Sequence, residues 1–192
     1  MKHLKPYKLF EEDAYHAAMT SGNKTAVYRN TALKWLMEFL NKGTAVPYGD
    51  KKRFISFSNK EDSGGADNFG DVRIEFNSKL LYKQGAIEIE YDRDFFEEHP
   101  DICTYVTGYK GEEDYYKQND YEGKEDFEEN GQDDQDTLTW ETMIEDYENE
   151  AEIVIKKLKY IEGLITKVIL PKKISKKDIA AIEKKGIQVE TE

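Results

Sequence analysis

A chain of 192 residues, 38% hydrophobic and 35% charged, is long enough to bury the core of one domain without metal or disulfide staples. Its one cysteine, Cys103, excludes an intramolecular disulfide and a cysteine-built zinc site, which fits a reducing, cytoplasmic setting. Charges early in the chain argue against a secretory signal, and no apolar run approaches bilayer length, so neither export nor membrane embedding is expected.

The net charge of −12 is unevenly spread. Residues 111–150 hold 17 acidic and 2 basic side chains, while the rest of the chain carries 26 basic against 23 acidic ones. Outside the acidic stretch the chain is therefore mildly basic, most of all in residues 1–60 and 153–185, which leaves room for a phosphate-bearing small molecule.

In chain order, the pattern predicts helices over residues 10–20 and 32–41. The second has Leu33, Leu36, Met37 and Leu40 on one face and Gly43 as its stop. Strands are expected over 25–29, 53–58, 71–76, 86–91 and 164–170, where β-branched and aromatic residues cluster. Gly64, Gly65 and Gly70 mark residues 59–70 as a mobile loop. Residues 111–136 have Tyr115, Tyr116, Tyr121 and Phe127 as their only sizeable apolar groups and read as an acidic, partly disordered insertion with little core. A helix follows over 139–147 with Thr139 as its cap. Near the end Ser175 caps a helix over 176–185, Gly186 stops it, and 187–190 form a last strand. The fold class is α+β, a single domain carrying the acidic insertion.

Three separated pieces draw attention by their order: Val27-Tyr28-Arg29-Asn30-Thr31 at a strand end, Phe54-Ile55-Ser56-Phe57-Ser58 on another strand, and Glu148-Asn149-Glu150-Ala151-Glu152 before an apolar run. Period-two geometry puts Ser56 and Ser58 on one face, and Glu150 and Glu152 on one face if that stretch is extended, so both pairs can line one cleft. Each piece also has a plain structural account. Arg29 fits a strand-edge ion pair, the serines fit the polar face of a half-buried strand, and the glutamates fit a solvated end of the acidic stretch.

The order resembles that of the Arg-Ser-Glu class of ADP-ribosyltransferases, whose motifs are an Arg on the first strand, often as Tyr-Arg-Gly, then a Ser-x-Ser strand and a later Glu-x-Glu. The similarity runs from about residue 25 to 170. The segments YRNT, RFISFS, GDVRIEF and ITKVILPK also suggest phage-borne members of that fold. Asn30 stands where the family has Gly, and Phe57 where it has the middle Thr of Ser-Thr-Ser. The resemblance implies mixed sheets around a cleft and NAD as substrate, with transfer of ADP-ribose to a protein or other macromolecular acceptor. Arg29, with Tyr28, Thr31 and Ser58, would bind NAD. The key carboxylate is one of Glu148, Glu150 and Glu152. In the arrangement the chemistry favours, Glu152 opposes the oxocarbenium-like charge that develops as the nicotinamide–ribose bond breaks, Ser56 orients it, and Glu150 faces the acceptor.

No metal or second cofactor is expected. His3, His16 and His99 are isolated, and Asp133, Asp134 and Asp136 lack the pattern of an EF-hand. Cys103 reads as a packed, unreactive thiol, and no Walker or dinucleotide glycine motif is present. A competing account is a non-catalytic acidic interaction or inhibitor protein, because rows of carboxylates compete for basic grooves while repelling DNA and RNA.

Overall fold

The computed structural model describes residues 26–47, 54–59, 70–131, 138–146 and 153–192. The expected helix over 10–20, most of the loop over 59–70, His3, His16, the 133–136 acid cluster, Glu148, Glu150 and Glu152 lie outside them. The elements are mixed, α+β as expected, and the chain divides into two compact units. One contains residues 54–88 and 153–192 together with the N-terminal part up to 48; the other is built on residues 89–152.

Among the described residues, all the strands lie in the first unit. β1 (Ala26–Thr31), β4 (Val72–Asn77), β8 (Ile165–Leu170) and β9 (Gln188–Thr191) form one sheet in the order β1-β4-β8-β9. Its β1–β4 and β4–β8 pairs are antiparallel, and β9 runs parallel to β8. A second sheet has the order β3-β6-β5, from β3 (Ile55–Phe57), β6 (Ile153–Ile155) and β5 (Ile87–Glu88). A third pairs β2 (Thr44–Ala45) with β7 (Leu158–Lys159). Residues 86–91 are expected as one longer strand, but pairing is confined to Ile87 and Glu88, opposite Val154 and Ile153.

The alternation of β4 explains how the sheet is covered. Val72, Ile74 and Phe76 are buried, and Arg73, Glu75 and Asn77 between them are half-buried. Helix α1 (Leu33–Lys42) lays Leu36, Phe39 and Leu40 into the same core, and Leu33 and Met37 pack at its margin. It ends as expected at Gly43, whose left-handed backbone (φ 69°) lets its N–H reach the Phe39 carbonyl at 2.9 Å. A short helix α2 (Ser78–Tyr82) follows β4, capped by the Asn77 side chain. Gly70 lies against the end of β1, where any Cβ would overlap the Thr31 carbonyl carbon and the Ala32 nitrogen. That close approach requires glycine.

The second unit is helical: α3 (Arg93–Glu98), α4 (Pro100–Thr107), α5 (Glu112–Gln118), α6 (Lys124–Asn130) and α7 (Trp140–Asp146). Two of these helices occupy the stretch expected to be a largely coreless insertion. The correction has a physical cause. Glu112, Glu113 and Asp114 fill the first turn of α5, and Glu125 and Asp126 that of α6, where carboxylates favour the helix dipole. The few aromatics then meet partners from elsewhere in the unit. Tyr116 stacks on Phe127 at 5.2 Å and Tyr115 meets Trp140 at 5.6 Å, all four rings at least 95% buried. Large rings each remove enough apolar area to offset the ordering of a short helix. The phenols are satisfied, Tyr115 donating to the Leu138 carbonyl at 2.7 Å and Tyr116 accepting from the Trp140 N–H at 3.1 Å. Thr139 caps α7 as expected, accepting from the Thr142 N–H.

In the first unit the final helix α8 (Lys176–Glu183) is capped by Ser175 as its sequence predicts. Gly186 follows it in the left-handed region (φ 76°).

Trp140→Ala removes the ring that α5 packs against and should destabilise the second unit by about 3–5 kcal/mol, read from urea unfolding. The amides of Tyr115 and Tyr116 should exchange as slowly as those of α4. Rapid exchange there would restore the picture of a flexible insertion.

Burial raises the Cys103 thiol and the Tyr116 phenol above their ordinary values. A neutral group held neutral by the fold stabilises fully below its unfolded pKa and loses that contribution as pH rises towards its folded one. The urea midpoint should therefore begin to fall from about pH 8.5 upward, the ordinary thiol value, and fall less steeply in Cys103→Ala.

Candidate functional site

The Arg and Ser-x-Ser segments meet in the first unit. Tyr28 and Ser58 form one antiparallel bridge between β1 and the end of β3, with N–H to carbonyl distances of 2.8 and 2.9 Å in the two directions. A regular ladder would continue with the Asn30 N–H on the Ser56 carbonyl. Instead the Arg29 side chain takes that carbonyl, Nη1 donating to Ser56 O at 2.5 Å. The guanidinium also lies over the Trp35 ring, 5.2 Å from Cζ to the centroid. Trp35, in the helix that follows β1, is a part of this arrangement that sequence reasoning passed over. An aromatic six residues after a strand arginine carries no signal until α1 folds back.

Alternation decides which side chains share a face. Val27, Arg29 and Thr31 lie on the face of β1 that covers the core, opposite Phe76, Ile74 and Val72 of β4. Phe57 belongs to that face too, edge-on to Phe76 at 5.1 Å. Ser56 and Ser58 therefore project from the opposite face, together with Tyr28, and all three are half-buried. The packing of β6 also separates two faces: Ile153 and Ile155, opposite Phe57 and Ile55, belong to the core cluster, while Val154, opposite Ser56, is fully buried outside that cluster, so the face that carries Ser56 is covered at β6.

The expected gathering of the Arg29 side chain with the Ser56 and Ser58 hydroxyls around one cleft is thus corrected. Arg29 joins Ser56 through its carbonyl, and the hydroxyl points away. Thr31, expected beside NAD, is 4% exposed, on the core face and against Gly70. Tyr28, Ser56 and Ser58 remain together on the opposite face. Glu150 and Glu152 lie outside the described residues, but Ile153, the residue after Glu152, pairs with Phe57, between the two serines in sequence.

Elsewhere in the first unit, on the face of the larger sheet that carries Tyr28, the side chains of Tyr28, Arg73, Glu75, Lys167 and Ile169 pack into a closed crevice with no room for a water molecule. The second unit contains a separate cavity of about 250 Å³ bordered by Arg93, Phe96, Lys110, Glu112 and Trp140. Of its charged lining groups, Arg93, Glu97 and Glu112 are engaged with one another, and Lys124 and Glu141 pair beside it. Arg93 reaches Glu97 at 2.9 Å and Glu112 at 2.8 Å, and Lys124 reaches Glu141 at 3.1 Å. Lys124 is held more firmly protonated by its hydrogen bond to Glu141. Cys103, fully buried as expected, donates towards the Tyr109 carbonyl at 3.4 Å. Among the described residues no cluster of three or more His, Cys, Asp or Glu is placed to hold a metal, and no helix is long and apolar enough to cross a membrane.

Arg29→Met should cost about 1.5–3 kcal/mol in urea unfolding, the range for a hydrogen bond from a charged donor. Ser56→Ala keeps the carbonyl that Arg29 uses, so it should change stability by no more than about 0.5 kcal/mol. Equal losses in the two variants would mean that the serine hydroxyl, rather than the carbonyl, holds the strands together.

No protein-family model, curated protein sequence or solved structure matches this chain.

Proposed function

We propose that this chain transfers ADP-ribose from NAD to a protein or other macromolecular acceptor. One observation supports the reading: three strands lie side by side in the order β6-β3-β1. β1 carries Tyr28 and Arg29, β3 carries Ser56 and leads into Ser58, and β6 begins one residue after Glu152. These pieces are separated by up to 123 residues of sequence, and only the fold makes their strands neighbours.

In this reading the bond between ribose C1′ and the nicotinamide nitrogen breaks, its electron pair leaving with nicotinamide. A nucleophile on the acceptor forms the new bond to C1′ and gives its proton to Glu150. Glu152 opposes the positive charge on the ribose carbon, and Ser56 orients that carboxylate or a ribose hydroxyl. Tyr28 and Ser58 share the face of Ser56, where this reading places NAD. Arg29 acts on the site from behind, setting the position of the Ser56 backbone, and is a positioning residue.

A second reading, an acidic interaction protein, is favoured by the charge of the second unit. There Arg93, Lys117 and Lys124 already pair with acids, Lys117 with Glu113, whose side chain nevertheless stays 91% exposed. A basic protein is the partner that such a surface fits.

Calorimetry with NAD and assay of nicotinamide release in the presence of cell lysate separate the two. The expected result is binding by wild type and by Glu152→Gln, with turnover in the variant lowered by about 10²–10³-fold, as when one preorganised group is lost. Glu150→Gln should lose transfer and keep hydrolysis. Wild-type protein that neither binds NAD nor releases nicotinamide would overturn the enzyme reading in favour of the acidic interaction protein.

A further inference from the structure

Four parts of the second unit wall its cavity. Helix α3 contributes Arg93, Phe96 and Glu97, α4 contributes Pro100, the segment leading into α5 contributes Lys110, and α7 contributes Trp140. At about 250 Å³ the space lies just under the range of sites for drug-sized ligands, so it suits only a small one. Phe96 and Trp140, both almost fully buried, supply an apolar wall. Charges of both signs surround that wall, and each sign has a group to spare. Lys110 is exposed and makes no ion pair among the described residues. The Asp114 carboxylate accepts instead from the Lys110 backbone N–H and the Gln118 amide, each at 2.9 Å. Glu97 takes the Arg93 Nε on its Oε1 at 2.9 Å, and with its side chain 63% exposed its Oε2 is left for a second donor.

We propose that this cavity binds a free α-amino acid with an apolar side chain. Lys110 receives the carboxylate, Glu97 receives the ammonium, and the side chain lies against Phe96, Pro100 and Trp140. The inference is independent of the ADP-ribosyl reading, since it uses no residue of the first unit.

The chemistry of the lining matches such a ligand. An α-amino acid carries one cation and one anion on the carbon from which its side chain branches, and the apolar wall is flanked by one group complementary to each. Two charge-assisted hydrogen bonds would fix its orientation, while contact with the rings removes apolar area from water. Arg93 bridges Glu97 and Glu112 through Nε and Nη2, so the carboxylate that meets the ammonium is held in place. With Arg93 and Lys110 against Glu97 and Glu112, the lining is balanced in charge although the unit around it is acidic. That balance favours a zwitterion over an ion of either sign. A solvent-filled hollow beside a surface charge network would share these residues and is the contrary account that the test must exclude.

The test titrates the intact chain by calorimetry with L-phenylalanine and L-leucine. Phenethylamine and 3-phenylpropionate, which keep the ring but lack the carboxylate and the ammonium respectively, are titrated beside them. A second readout is the fluorescence of Trp35→Phe, in which Trp140 is the one remaining tryptophan. Expected is binding of both amino acids by wild type, with each one-charge analogue weaker than L-phenylalanine by about tenfold or more, the scale of a charged hydrogen bond. Lys110→Gln should weaken L-phenylalanine by a similar factor and leave phenethylamine unchanged. Glu97→Gln should weaken L-phenylalanine and leave 3-phenylpropionate unchanged. Both substitutions are at exposed positions, and urea midpoints confirm that the variants are folded. An analogue that binds as tightly as L-phenylalanine would overturn the two-charge site, as would amino-acid binding indifferent to both variants. Neither heat nor a change in Trp140 fluorescence with either amino acid at millimolar concentration would overturn the proposal and leave a solvent-filled cavity.

Discussion

The arrangement of the first unit depends on the hydrogen bond from the Arg29 guanidinium to the Ser56 carbonyl. β1 and β3 share a single bridge, and where the next backbone rung would fall a side chain takes its place. Such a bond is longer in reach than a rung, so the two strands can part without leaving the carbonyl unmet. Trp35 steadies the guanidinium by its ring face. One arginine thus joins the β1-β4-β8-β9 sheet to the β3-β6-β5 sheet just where they diverge.

Strand alternation then divides the labour within Val27–Thr31. Every second residue faces the core, so Tyr28 and Arg29, neighbours in sequence, serve opposite sides of the same sheet. The same rule parts Ser56 from Phe57, a residue that locks the core against Phe76 while the hydroxyl beside it stays on the opposite face. A large ring at position 57 is consistent with this division, since that position points inward.

Much of the fold was legible from local pattern. The α1 stripe, the capping of α7 by Thr139 and of α8 by Ser175, and the alternation of β4 are all written in neighbouring residues. What pattern could not supply was partnership across the chain. Tyr115, Tyr116 and Phe127 look stranded among carboxylates until Trp140 folds onto them, so an average of composition hid a helical core. At the site the strands were visible and their faces were not. The face of Arg29 is set by its register with Ile74, and that of Ser58 by its bridge with Tyr28, both pairings between distant segments. Trp35 went unnoticed for the same reason, since it meets Arg29 only once α1 has folded back.

The insertion of the second unit also bears on how the chain folds. β5 ends at Glu88 and pairs with β6, which begins at Ile153, so everything between them must leave the sheet and return to an adjacent strand. Closing so long an excursion as loose coil costs entropy that grows only logarithmically with length, yet the pairing it permits is late and slow to find. An excursion with its own aromatic core changes the order of events. Once α3–α7 have condensed, the chain that must be searched is short. Assembly of β6 against β3 and β5 then waits on the helices, and a mutation among the buried rings would show itself first as slow completion of the sheet.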